Sequence, residues 1–290
     1  MRLLILIPVV LIFISGCTTQ PIAPAGVGLV IINFEPDFTE VFSTERVDFI
    51  ARIKNNGVIP AEFITTEIVG IEDWKFLLHK QPECATGFGL VESSGFAGTE
   101  GETKTCTWTY EAPRVPEGLS VTYTPVLRAY YDYTSTTISS VSIVPRNELR
   151  RLQDTGQQLP ITVTGSTGGP VSIGLSTEPI ISFEDTVVFP LKITITNADK
   201  GVACYKPSCE QYFNQDRVKL SFDMDPHLHL LDCSEMEISL YKGQSNSVTC
   251  KVEAIDIPIN SIVKRPITVT AEYEYLIEKS TQIVVKHSPN

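Results

Sequence analysis

The chain has 290 residues, with 23 Lys and Arg against 34 Asp and Glu, for a formal charge of −11. A surface this acidic lacks the clustered cations on which phosphate-backbone binding rests, so no nucleic-acid partner is expected, and lying flat on anionic lipid is disfavoured. The length is a soft prior for two domains.

Met1 and Arg2 lead into an uncharged run from Leu3 to Ile14, followed by the small residues Ser15 and Gly16. This is the layout of a signal peptide, 1–16. The run is too short for the ~20 apolar residues that cross a hydrocarbon core, so a permanent transmembrane helix is a poor reading. The segment Ile14-Ser15-Gly16-Cys17 resembles the lipobox of prokaryotic lipoproteins. The resemblance implies cleavage after Gly16 and thioether lipidation of Cys17; two acyl chains anchor a protein stably where one holds it only marginally. The competing reading is an ordinary secretory signal with Cys17 in a disulfide. Seven cysteines would leave one thiol over in an oxidising compartment, whereas setting Cys17 aside leaves an even six, so parity favours the anchor. Residues 17–26 then read as a lipidated tether, and the location is extracytoplasmic, on a membrane.

Beyond the tether the chain repeats itself. TCTWTYEAP from Thr105 recurs as TCKVEAIDIP from Thr249, AYYDY from Ala129 as AEYEY from Ala271, and FEP from Phe34 as TEP from Thr177. The offsets are 144, 142 and 143 residues. VDFIARIKNNG from Val47 likewise matches VVFPLKITITNADKG from Val187. Alternation of apolar and polar residues, turn chemistry at the Asn-rich ends, and closing segments rich in Tyr, Thr, Ile and Val predict β structure in both copies. The expected fold is all-β: two tandem antiparallel β-sandwiches at 27–145 and 169–288, joined by a linker at 146–168 with a short helix in NELRRLQDTG. The linker reads either as a solvated spacer or as a hinge docking both domains. The pattern resembles the tandem immunoglobulin-like modules of bacterial and archaeal surface proteins, a resemblance that implies a fold more than an activity.

Cys106 and Cys250 occupy equivalent places in the copies. Six cysteines allow 15 connectivities. Equivalence selects Cys84–Cys106 and Cys233–Cys250, with Cys204–Cys209 closing a small loop in CYKPSCEQYF, an insertion absent from the first copy. A metal knuckle on Cys204 and Cys209 is disfavoured, because no second ligand pair accompanies them.

Histidines cluster only in DMDPHLHLLD. Were this stretch extended, Asp223, Asp225, His227 and His229 would share one face and could hold Zn or Ca; the competing reading is a strand with its polar side in water. No cofactor is expected. No nucleophile elbow is present. Paired carboxylates for glycoside chemistry could draw on Glu35, Asp37, Glu40, Glu100 and Glu102, although acidic residues at strand ends and turns are usually only a solvated face. His79 and His287 are isolated, the latter in a tail expected to be flexible. Trp74 and Trp108 are expected in the core, near the disulfide, before any role as sugar platforms. The Gly-rich GFGLVESSGFAGTEGET from Gly87, with Phe88, Leu90 and Phe96, reads as a loop packed on its own domain or as a recognition loop.

The leading expectation is a non-enzymatic, lipid-anchored surface protein, structural or protein-binding, whose partner is another envelope protein engaged by strand addition at an exposed sheet edge. A carbohydrate- or metal-binding lipoprotein stands second, and a hydrolase with a spatially assembled site third.

Overall fold

The computed structural model describes residues 28–93, 100–160, 163–206, 208–233 and 236–288. Cys17, the signal segment and the tether lie outside the described residues. No described helix is long and apolar enough to cross a membrane.

The structure is nearly all β. The first copy contains β1 (Leu29–Pro36), β2 (Glu40–Phe42), β3 (Arg46–Asn55), β4 (Ala61–Val69), β5 (Lys75–His79), the one-turn helix α1 (Glu83–Thr86), β6 (Phe88–Leu90), β7 (Thr103–Glu111), β8 (Ser120–Tyr123) and β9 (Val126–Pro145). Helix α2 (Arg146–Asp154) and β10 (Val163–Ser166) make the connection. The second copy contains β11 (Val171–Ser176), β12 (Ile180–Ser182), β13 (Val187–Asn197), β14 (Val202–Cys204), β15 (Arg217–Met224), β16 (Leu228–Leu230), β17 (Met236–Ser239), β18 (Ser245–Ala254), β19 (Val263–Ser280) and β20 (Ile283–Lys286).

Each copy builds the same four-stranded sheet, β1-β3-β7-β5 in the first and β11-β13-β18-β16 in the second. In β3 the alternation seen in the sequence is the alternation of burial: Val47, Phe49, Ala51 and Ile53 point inward, and the residues between them are more exposed. β3 and its counterpart β13 each end on an asparagine that organises the following turn, Asn55 buried and Asn197 partly buried. The Asn55 side chain accepts from the Gly57 amide (2.8 Å) and donates to the Ile59 (2.9 Å) and Leu90 (3.1 Å) carbonyls. Asn197 donates to the Gly201 (2.8 Å) and Gly243 (3.1 Å) carbonyls and accepts from the Tyr275 hydroxyl (2.7 Å). Without these bonds, backbone groups in the turns would be buried unpaired.

Nine of the remaining strands merge into one long sheet, whose central path is β17-β15-β19-β9-β4-β6, while β2, β20 and β8 form a separate three-stranded sheet. β9 and β19 pair antiparallel from Val126 opposite Ser280 to Ile143 opposite Val263, and β8 with β20 carries the same register on to Ser120 opposite Lys286. At the middle of this ribbon Asp132 faces Glu274, its own counterpart at the 142-residue offset. Tyr131 accordingly faces Tyr275, and Tyr133 faces Tyr273. The copies are therefore related by a pseudo-two-fold axis, as two subunits are across an isologous interface.

They also exchange strands. β20, from the end of the second copy, lies between β2 and β8 of the first, and the end of β9 pairs in parallel with β12 of the second. The chemistry of β9 explains the exchange. Its sequence VLRAYYDYTSTTISSVSIVP has no Gly, Asn or Pro before its last residue, so it lacks the residues that best supply a tight hairpin turn. It runs on into the other copy instead. The intervals 27–145 and 169–288 are thus sequence repeats that share a sheet, and between them β10 pairs with β9 along Val163–Ser166. Helix α2 packs Leu152 inward, and Gly156 follows it with a φ of 65°, a left-handed conformation that glycine adopts without strain.

One apolar cluster runs through both copies, from Phe49 and Trp108 to Ile195 and Val252, with Tyr131, Tyr133, Tyr273 and Tyr275 at its centre. The tyrosines interlock edge-on, Tyr131 with Tyr275 at 5.8 Å between ring centroids. The Leu29 amide donates to the Tyr131 hydroxyl (3.0 Å) and the Val171 amide to the Tyr273 hydroxyl (3.2 Å), so each copy's first strand is tied to its own central tyrosine.

Candidate functional site

The two copies differ most beside the axis, on the outer face of the long sheet. β4 meets β9 with Glu62 opposite Asp132, and β14 meets β19 with Cys204 opposite Glu274. Ala61 and Ala203, equivalent residues, are both fully buried. From there the chains diverge. In the first copy the strand continues through a bulge between Glu62 and Thr65, where Phe63 takes a φ of 51° and leaves its ring 73% exposed. A left-handed backbone is costly for a bulky residue, and bulges serve to re-aim side chains. In the second copy the strand breaks at Cys204, and residues 205–206 and 208–216 belong to the insertion before the chain returns as β15.

The insertion is held down at several points. Cys204 and Cys209 are joined, and with Tyr130 and Leu276 they form a small apolar cluster on the sheet. The Tyr205 amide donates to the Asn214 carbonyl (2.9 Å), and the buried Asn214 side chain donates to the Ser208 carbonyl (3.1 Å). Two contacts then reach the axis. The Cys209 amide donates to the Glu274 carboxylate, and the Lys206 ammonium lies 3.0 Å from Asp132. Burial pushes the Glu274 carboxyl above its ordinary value; the Cys209 amide opposes that shift, and the neighbouring Asp132 and Glu210 add to it. The top of the insertion presents Tyr212 and Phe213, 86% and 66% exposed, on a single 3-10 turn.

A cleft opens on each side of this structure. One, of about 320 Å³, is lined by Pro60, Glu62, Phe63, Asp132, Thr134 and Lys206. The other, of about 480 Å³, includes Arg128, Tyr130, Lys200, Glu210, Gln215 and Glu278. Within it Arg128 bridges Glu278 (2.7 Å) and Glu67 (3.7 Å), and the Tyr130 hydroxyl donates to Glu67 (2.7 Å).

The cysteines named from the sequence stand as Cys84–Cys106, Cys204–Cys209 and Cys233–Cys250. The four proposed metal ligands are not brought together. Asp223 lies one residue before the end of β15 in the long sheet, His229 lies in β16 of a four-stranded sheet opposite Glu253, and the chain turns between them. Pro226 starts that turn, Asp225 accepts from the His227 amide (2.9 Å) and from Arg265 (3.1 Å), and the His227 ring faces Asp256 (3.1 Å). The one-face arrangement needs a continuous strand through Pro226, and the strand stops there. Among the described residues a compact ligand group occurs only at Asp232, Cys233 and Cys250, where both sulfurs are spent in the disulfide.

The other residues singled out lie apart. Asp37 accepts from the Asp48 amide, Glu40 pairs with Lys286, Glu100 with Lys54, and Glu102 accepts from the Val91 amide. Trp74 and Trp108 are buried, as are Leu90 and most of Phe88, whereas Phe96 lies outside the described residues. His79 is packed beside Trp108, and burial lowers its pKa. The His287 ring is held 3.0 Å from the Val115 carbonyl, which ties down a segment expected to be flexible. Sequence reasoning passed over Glu62, Phe63, Asp132, Lys206, Tyr212 and Glu274. Only the insertion itself was visible as a break in the repeat.

No family model and no curated protein matches the chain. Among solved structures, the chain has a slight similarity to the collagen binding domain of Erysipelothrix rhusiopathiae surface protein RspB, 11% identical over 91% of this chain and 92% of that one, with a TM-score of 0.11. A likeness that slight supports no statement about fold or ligand. What the structure itself defines is a disulfide-bonded all-β protein with sandwiches sharing a central sheet.

Proposed function

We propose that this is a lipid-anchored protein held outside the cytoplasm by Cys17, whose two immunoglobulin-like copies form a rigid, non-enzymatic module that binds another envelope or surface protein. The observation carrying this reading is the placement of the asymmetry. On a core with two-fold symmetry, the bulge at Phe63 and the disulfide-tied insertion lie on opposite sides of one axis and leave three aromatic rings exposed on one face. Exposed aromatics on a rigid frame are the residues that dominate protein interfaces. The lipobox-like Ile14–Cys17 segment and the acidic surface support an anchored protein that stands off the bilayer.

The test joins mass and proximity. Intact mass of protein purified from membranes reports cleavage and lipid together. A photoreactive residue in place of Tyr212 should cross-link a discrete envelope protein in cells, while the same residue at Glu117 should not. Unlipidated protein, or identical cross-linking from both positions, would count against the reading.

A further inference from the structure

On the reading of this face as a binding surface, we propose that the cleft between β4 and the insertion receives a lysine or arginine side chain from a cationic polypeptide segment. Three features converge there. The bulge turns the Phe63 ring into solvent beside the cleft, where its face can lie against the stem or head of a long cation. Glu62, the residue before it, is exposed and ends in no ion pair among the described residues. Asp132 forms part of the same lining, and there the cleft already holds a cation of the chain's own: the Lys206 ammonium, at 3.0 Å. The chemistry that seats Lys206 on Asp132 is repeated by Glu62, which has no ion-pair partner among the described residues.

Size and charge agree. A space of about 320 Å³ is at the low end for a small-molecule pocket and suits one long side chain projected from a segment lying across the face. The chain carries −11, so a cationic segment would be drawn to it. The neighbouring cleft does not offer the same preference, because Arg128 and Lys200 there offset Glu210 and Glu278.

The test uses the full chain with an acetylated deca-lysine peptide, and deca-glutamate as the control, in titrations at physiological salt. Deca-lysine should bind and deca-glutamate should not. Phe63→Ala and Glu62→Gln should each weaken binding by about 2- to 30-fold, while Phe63→Tyr should hold affinity within about twofold. Phe63→Gly, which accepts the positive φ, removes the ring without backbone strain and should match Phe63→Ala. Glu117→Gln, a remote exposed carboxylate, should bind as the unmodified chain does. Unchanged affinity in both Glu62→Gln and Phe63→Gly would overturn the inference, as would an equal loss in Glu117→Gln, which would reduce binding to bulk charge. Cross-linking of an envelope protein at Tyr212 that survives while deca-lysine fails to bind would overturn the cationic segment and leave the binding role standing; failure of both would remove both.

Discussion

Asp132 and Glu274 face each other across β9 and β19, each the repeat counterpart of the other, and the pseudo-two-fold axis passes between them. Like charges directly opposite on a sheet are unfavourable. Here the insertion answers both: Lys206 pairs with Asp132, and the Cys209 amide donates to Glu274. The element unique to the second copy is thus fastened to the residues where the two copies meet.

A pH dependence follows from Glu274. Its folded pKa is raised above the ordinary 4.5, chiefly by burial, so the folded chain holds this proton more tightly than the unfolded chain does. Stability from this group is present below the unfolded value and is lost as pH rises through the folded one. Glu274→Gln, neutral throughout, should flatten that fall and raise the melting temperature at neutral pH. Thermal melts from acid to neutral pH check this, and a lower midpoint at neutral pH would contradict it.

Tyr131→Phe and Tyr273→Phe should behave alike. Each removes the acceptor for a buried amide at the start of a copy, Leu29 or Val171, at a cost of about 1–3 kcal/mol. Because the ribbon belongs to both copies, either substitution should shift one common unfolding transition. Denaturant unfolding followed by near- and far-ultraviolet circular dichroism would show two separate transitions if the copies were independent.

The disulfides should rank by the loop they close. Cys84–Cys106 and Cys233–Cys250, at separations of 22 and 17, should each stabilise by about 3 kcal/mol, and Cys204–Cys209, at a separation of 5, by about 2 kcal/mol. Paired Cys→Ala variants in urea measure this. Loss of the smallest loop should further increase hydrogen exchange in the insertion while leaving β3 and β7 unchanged.

Phe63→Gly should be at least as stable as Phe63→Ala, because only glycine adopts a φ of 51° at little cost. The expected gap is about 1 kcal/mol in chemical denaturation. Alanine proving the more stable of the two would mean that the bulge is not strained.

The strands were legible because alternation reports which face is buried, as in β3, and the repeat was legible because both copies keep Cys106 and Cys250, Ala129 and Ala271, and the paired tyrosines. The exchange of strands was not, since a period of two is the same whether a segment turns back within its copy or runs straight into the other. The usable sign was an absence of the strongest turn formers: β9 spans 20 residues with no Gly, Asn or Pro before Pro145, several times the usual strand length. The cleft was hidden for another reason. Phe63 and Glu62 are ordinary in sequence, and their exposure comes from a bulge whose position only pairing reveals. The Asp223 to His229 face failed at Pro226, whose turn-forming chemistry outweighed the alternation around it.

The sharing of one sheet by both copies is tested most directly by cutting the connection. All three disulfides lie within single copies, and residues 156–158 are exposed, so a protease site placed there would leave no covalent link between the halves. After cleavage the two fragments should elute together in size-exclusion chromatography as one complex with the mass of the uncut chain, and separate only in denaturant. Elution as two folded, independent fragments would contradict the interlocked sheet.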